Sequence, residues 1–193
     1  MGSESRIALA ERRERRFRLR ALLLCATLAA GVTAAGCVGA PDGVPVVQNF
    51  DLSRYLGTWY EIARLDHSFE RGLRDVTARY ALRDDGGVRV LNRGYDPDKQ
   101  AWKEAEGRAY FVKTPNIGEL KVSFFGPFYG GYNIIALDDD YRYALICGPT
   151  RDYLWILARV PKPDPTIVRN LVSRAAELGF ATDALIYGEQ TRP

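Results

Sequence analysis

The sequence has little of what most catalytic or metal sites need. It holds one histidine, one methionine and three cysteines. A lone His67 cannot supply the several side chains that a zinc site takes, so neither a metal nor a cofactor is expected. The longest apolar-rich run, residues 21–32, is about a dozen residues, short of the roughly 20 that a membrane-spanning helix needs. Strong charge is also missing. Seven Arg and three Glu fall within residues 1–36, which leaves 20 basic and 21 acidic groups in the other 157 residues. A body so near neutrality lacks the basic footprint of a nucleic-acid binder, and nucleic acid is excluded as a partner. What is present, 47% hydrophobic and 11% aromatic residues over 193 positions, suits one globular core.

The N-terminus reads as an address. Arg12 to Arg20 form a basic stretch, residues 21–32 an apolar one, and small residues follow. This is the pattern of a signal peptide over residues 1–36. Thr33-Ala34-Ala35-Gly36-Cys37 resembles the bacterial lipoprotein box, with Ala34 in place of the usual Leu. The resemblance implies acylation at Cys37, and Val38 after it implies the outer rather than the inner membrane. The same small residues also fit ordinary signal cleavage, which leaves a secreted protein with a free Cys37 as the alternative. Arg15-Arg16 faintly resembles a twin-arginine signal. Residues 37–49 read as the lipidated Cys and a tether with no periodicity, and 50–193 as the folded domain. Cys25 leaves with the signal and Cys37 takes the lipid, so Cys147 has no partner for an internal disulfide.

From residue 58 onward, short apolar-rich runs recur between turn residues. They span 58–65, 76–83, 88–95, 102–111, 119–125, 132–138, 143–148 and 152–159. None of the connections can hold a crossover helix, so neighbours pair antiparallel. Eight such strands close into an up-and-down barrel without edges. Alternation sorts the faces: Glu104, Glu106 and Arg108 oppose Ala105, Gly107, Ala109 and Phe111, so the small set faces inward. Small inward residues leave room for a ligand. After Pro161-Lys162-Pro163, Asp164 and Pro165 open a helix with Ile167, Leu171, Ala175 and Leu178 on one face, and Gly179 closes it. That helix packs outside the barrel. Residues 184–187 read as a short ninth strand.

Gly57-Thr58-Trp59 at the first strand resembles the lipocalin signature. Asp138 to Tyr143 resembles the second lipocalin motif, and Arg159-Val160-Pro161 the third. In an up-and-down barrel these three segments meet at one end. There Gly57, Trp59 and Arg159 form a barrel-closing set, and an Arg159–Trp59 cation–π contact contributes about 0.5–2 kcal/mol. Residues 49–160, including Phe124 to Tyr132 and Cys147-Gly148-Pro149, resemble the bacterial outer-membrane lipocalins, with apolipoprotein D as the animal relative of that branch. The resemblance implies a barrel that binds fatty acids or lysophospholipids, a lipid anchor to the membrane on its periplasmic side, a role in membrane maintenance, and room for a homodimer.

Parity places Val90, Asn92, Val122, Phe124, Ile134, Trp155 and Leu157 inside the barrel, with Ala78 and Tyr80 on the second strand. The wall is apolar with few polar groups, as lipid sites are. The mouth loops are 66–75, 96–101, 126–131 and 149–151. Tyr129 and Trp155 are the expected ligand contacts among the aromatics, and Arg71, Arg74 and Arg151 a rim that meets a headgroup or solvent. Two other classes stay open: a lipid-modifying enzyme using Cys147 as an inward thiol or His67, and an interaction module that dimerises through the aromatic mouth loop. Neither residue has a nucleophile–base motif beside it, so no enzyme is expected.

Overall fold

The computed structural model describes residues 38–192. The expected signal peptide and Cys37 lie outside the described residues. A short helix α1 (Leu52–Tyr55) precedes eight strands: β1 (Gly57–Arg64), β2 (Arg74–Leu82), β3 (Val88–Asp96), β4 (Ala101–Phe111), β5 (Glu119–Ser123), β6 (Gly130–Leu137), β7 (Tyr143–Cys147) and β8 (Leu154–Ala158). Helix α2 (Pro165–Glu177), a 3-10 turn (Thr182–Ala184) and β9 (Ile186–Tyr187) follow. Each strand pairs antiparallel with the next. β8 pairs with β1 and β1 with β2, so the sheet closes on itself. The expected eight-stranded barrel, outer helix and ninth strand are all present.

Two apolar layers result. Trp59, Tyr80, Val88, Val90, Ala109, Ile134, Ile146 and Leu157 fill or line the barrel. Ile62, Leu145, Cys147, Leu154 and Ile156 face outward into a second layer, covered by Leu171, Ala175 and Leu178 of α2. Alternation explains both, because successive side chains of one strand take opposite faces. α2 starts where the sequence says it should. The Asp164 carboxylate accepts the Thr166 N–H at 2.7 Å, Pro165 occupies the first turn, and Gly179 takes the left-handed conformation just past the end.

Three expectations change. Residues 38–49 are no loose tether. Val44 is buried, the Val47 N–H donates to the Ile134 carbonyl at 2.9 Å, and Arg151 reaches the Asp42 carbonyl at 2.9 Å. The segment runs down the outer wall to Phe50, whose N–H meets Asn116 in the turn after β4. Its scattered Val and Ala residues lack a period because only some of them touch the wall. Second, Ala101 to Glu106 of β4 are exposed on both faces, Ala105 included. β5 pairs only with Arg108–Phe111, so the upper part of β4 is paired on one side alone, with β3. Third, Cys147 lies outside the lumen. Ile146 faces in, so its neighbour must face out.

Closure of β1 is divided. It pairs with β2 over Gly57–Tyr60 alone, and its pairing with β8 shifts register between Glu61 and Ala63. Above that point the C-terminal segment bridges the seam. β9 pairs with Ala63 and Arg64, and the Gln190 side-chain amide donates to the carbonyls of Glu61 and Val76, both at 2.9 Å. The buried Asp75 carboxylate accepts the backbone N–H groups of Thr191 and Arg192. Asp75→Ala leaves these donors unpaired. We expect a loss of about 1–3 kcal/mol in urea denaturation; unchanged stability would show that the seam holds without them.

Candidate functional site: a lumen open at one end

The barrel holds a cavity of about 100 Å³ that opens at one end. Ala78, Tyr80, Val90, Asn92, Val122, Phe124, Trp155 and Leu157 line it, as parity placed them. Gly107 shows why small residues face in: a β-carbon there would stand 2.8 Å from the Phe124 ring, so Gly107 lets Phe124 lie against the wall. Ile134 also points into the barrel but is fully buried in the packed core, away from the cavity. Tyr129 lies outside, against Tyr110 and under Lys121, whose ammonium is 5.1 Å from its ring centre. The mouth loop turns its Tyr away from the lumen, which residue spacing within a loop does not encode.

The floor is aromatic and hydrogen-bonded. The Tyr132 hydroxyl bonds to both Tyr55 and Tyr80, each at 2.7 Å. Burial pushes all three hydroxyls up, so they remain neutral donors. This layer separates the cavity from a much smaller apolar gap of about 10 Å³ around Phe50, Leu52 and Leu120. Below it sits the closing set. The Arg159 guanidinium lies 4.0 Å from the Trp59 ring centre. It donates to the carbonyls of Thr58 at 3.0 Å, Arg54 at 2.8 Å and Tyr141 at 3.2 Å. Gly57 has φ +96, and a β-carbon there would press on Arg159 at 3.2 Å, so this position favours glycine twice over.

Charge enters only near the mouth, in a cluster that alternation did not reveal. Glu61 and Glu70 line the cavity and are buried, with Arg64 3.6 Å and 3.7 Å from their carboxylates. Trp155 donates its indole N–H to Glu70 at 3.1 Å. One guanidinium cannot offset two buried carboxylates. Burial, and then the neighbouring Glu70 charge, push Glu61 well up, so it holds a proton beyond the usual carboxyl range. His67 stacks on Phe69 at 4.1 Å and sits 4.9 Å from Trp155. Its burial, and then Arg64, pull it down to about 4, so it is neutral at pH 7.

Several lining residues escaped the sequence reading. Phe69 and Glu70 come from the first mouth loop, which folds back over the lumen. Thr77 and Ala78 both line it because the register of β2 shifts between Arg74 and Thr77. Tyr132 shares parity with Ile134, and Ile146 with Ala144, so a stricter alternation would have found those two. The rim arginines are engaged within the protein: Arg71 with Asp66 at 2.7 Å, Arg74 with Glu189 at 3.1 Å, Arg151 with the Leu178 carbonyl at 2.8 Å. Cys147 is packed beneath α2 and its burial pushes the thiol up to about 12, so it is no nucleophile for a ligand in the lumen.

A barrel sealed by Trp59 and Arg159 and open over an apolar lumen is the architecture of a ligand-binding barrel. Residues 50–190 match the Lipocalin-like domain family, and the chain belongs to it. It is 56% identical over 174 residues to the outer membrane lipoprotein Blc of Escherichia coli (strain K12), covering 90% of this chain and 98% of that protein. It is 36% identical over 162 residues to apolipoprotein D of Rattus norvegicus, covering 78% and 84%. A solved structure of the cockroach allergen Per a 4 superimposes with a TM-score of 0.62 at 18% identity, over 80% of this chain and 96% of that one, and supports the fold alone. Members of this family are binding proteins rather than enzymes.

Two measurements probe the site. The unfolded chain protonates His67 near pH 6.5, the folded one only near 4, so this histidine costs stability as pH falls through that window. We expect His67→Gln to remove about 1–2 kcal/mol of the loss between pH 7 and pH 5, allowing for solvent screening. Equal pH slopes for the two proteins would rule that out. Tyr132→Phe should cost about 1–3 kcal/mol in thermal or urea unfolding, because two buried hydroxyls lose their shared partner.

Proposed function

We propose that this lipocalin carries a single acyl chain, of a fatty acid or a lysophospholipid, in the lumen above the tyrosine floor, with the headgroup at the mouth. The observation that carries this reading is the cavity itself. It opens at one end of the barrel, and its walls are mostly aliphatic and aromatic, as small-molecule sites are. Each buried methylene contributes about 0.8 kcal/mol before the costs of ordering and association. A long chain therefore reaches micromolar affinity without any specific headgroup contact. The nearby charges support a headgroup that stays at the rim, since Arg64 is already committed to Glu61 and Glu70.

The chain works at the outer membrane on its periplasmic side, held by an acylated Cys37, in storage or transport of lipid for membrane maintenance. The lipoprotein-like Cys37 segment and the likeness to the outer membrane lipoprotein of Escherichia coli support this placement.

The test is a titration of the purified protein with a fatty acid and with a lysophospholipid, followed by tryptophan fluorescence, beside lipid extraction and mass spectrometry. Trp155 lines the cavity, so its emission should saturate at micromolar ligand. Val90→Trp fills the lumen and should weaken binding at least tenfold while the barrel stays folded. Absence of saturable change with both lipid classes, and no extracted lipid, would remove the acyl-carrier reading.

A further inference from the structure

We infer that Glu61 and Glu70 form a seat in the lumen wall for one ammonium group, so that the barrel takes cationic amphiphiles whose positive charge is borne directly on a hydrocarbon chain. The inference rests on the reading of the lumen as a site for hydrocarbon chains.

The first observation is a balance of charge. Both carboxyl groups line the cavity, with Glu61 3% and Glu70 7% exposed. Among the described residues, Arg64 is the only Arg or Lys paired with either of them. Its Nε stands 3.6 Å from Glu61 and 3.7 Å from Glu70, and its Nη2 is engaged by the Glu70 carbonyl at 2.9 Å. The other titratable groups nearby add no positive charge. His67 is neutral at pH 7, Asp66 beyond it is paired with Arg71, and burial keeps Tyr80 neutral. Asp75 on β2 is turned to the C-terminal segment. Two carboxylates against one guanidinium leave one negative charge without a partner, which is costly away from water. Glu61 avoids this by holding a proton. An ammonium group can replace that proton. The carboxyl O–H bond breaks, the proton passes to water, and the set of four charges sums to zero. An anionic end group finds no such balance, because Arg64 is already engaged.

The second observation concerns unpaired polar atoms. His67 is 6% exposed, and neither ring nitrogen has a hydrogen-bond partner, although Nε2 is 3.4 Å from Glu70 Oε2. The buried Arg64 Nε, facing both carboxylates, has none either. Buried polar atoms are nearly always satisfied, and a cluster that is not, beside a cavity, marks a place for a polar group of a ligand. The carboxylates accept and an ammonium only donates, so the two match. Aromatic rings stand at the same place. Trp155 gives its indole N–H to Glu70 at 3.1 Å, and Phe69 lines the cavity with its ring centre 6.4 Å from that of Trp155. Such rings attract ammonium groups and are indifferent to a hydroxyl.

The test titrates the full chain, expressed with its own signal, with decylammonium chloride and with decanol, which share a chain and differ in the end group. Binding is followed by tryptophan fluorescence near pH 8. We expect the amine to bind roughly tenfold tighter or more. It should release about one proton per molecule bound, read with a pH indicator in weak buffer. The preference should shrink toward pH 6, where protons compete for Glu61. Glu61→Gln copies the protonated carboxyl in shape, and should bring the ratio of the two affinities near one and abolish proton release. Should that variant not fold, proton release and its pH dependence in the unsubstituted protein decide alone. Equal affinities in the unsubstituted protein, amine binding without proton release, or a preference that survives in Glu61→Gln overturns the inference. Binding of decanol or of a fatty acid without preference for the amine removes the seat and leaves the carrier reading standing. Failure of every one of these ligands removes both.

Discussion

The contact of Arg159 with Trp59 is the constraint on which this barrel depends. One guanidinium covers the indole ring and satisfies three backbone carbonyls, from the end of α1, the start of β1 and the β6–β7 turn. The β6–β7 turn is distant in sequence from the other two segments, and it also meets α1 directly through Arg54 and Tyr141. The Tyr141 carbonyl belongs to a buried residue, where an unpaired polar group is costly, while Arg54 and Thr58 are exposed. Closing one end in this way lets the other end stay open. A barrel filled along its whole length would need no such plug, and one closed at neither end could not hold an apolar ligand away from water.

Above the floor the polar groups are few, and some of them, Asn92 Oδ1 and both His67 ring nitrogens included, have no hydrogen-bond partner within the protein. The three tyrosine hydroxyls bond to one another, so the lumen has a rigid base without a charge. The charged cluster sits higher and largely cancels itself: Glu61 holds its proton, Glu70 takes the Trp155 indole and lies beside Arg64, and His67 is neutral. An acyl chain therefore meets hydrocarbon and aromatic surface, while pH-sensitive groups lie beside the entrance. The same arrangement removes chemistry. The Cys147 thiol is on the far side of the wall, under the helix.

The C-terminal segment and residues 38–49 act alike, as two straps on the outer surface. One completes the β1–β2 seam where the strands part. The other covers β6 and the turn before β5 with backbone hydrogen bonds. Neither has a periodic pattern, because each alternates between contacts with the wall and exposure to solvent. Their hydrogen bonds are chiefly to backbone groups, which any sequence offers. The straps are thus a product of the closed barrel, which presents those groups in register.

Much of this was legible in the residues. Alternation and turn chemistry place eight strands to within about two residues, and Asp164-Pro165 and Gly179 bracket the helix. The Gly57, Trp59 and Arg159 motifs locate the closed end, because parity forces those segments together. Parity also puts Ala78, Tyr80, Val90, Asn92, Val122, Phe124, Trp155 and Leu157 on the cavity wall. It fails where the backbone leaves its regular period: at the register shift beside Thr77, at the bare upper half of β4, and in the loops that turn Tyr129 outward and Phe69 inward. The pairing of Glu61 with Glu70 through Arg64, and the docking of residues 38–49, join parts of the chain that no local pattern links. Local preferences are set by neighbours in sequence, which the chain carries with it. Burial of a charge and the shape of a lumen depend on neighbours in space, and only closure of the barrel brings those together.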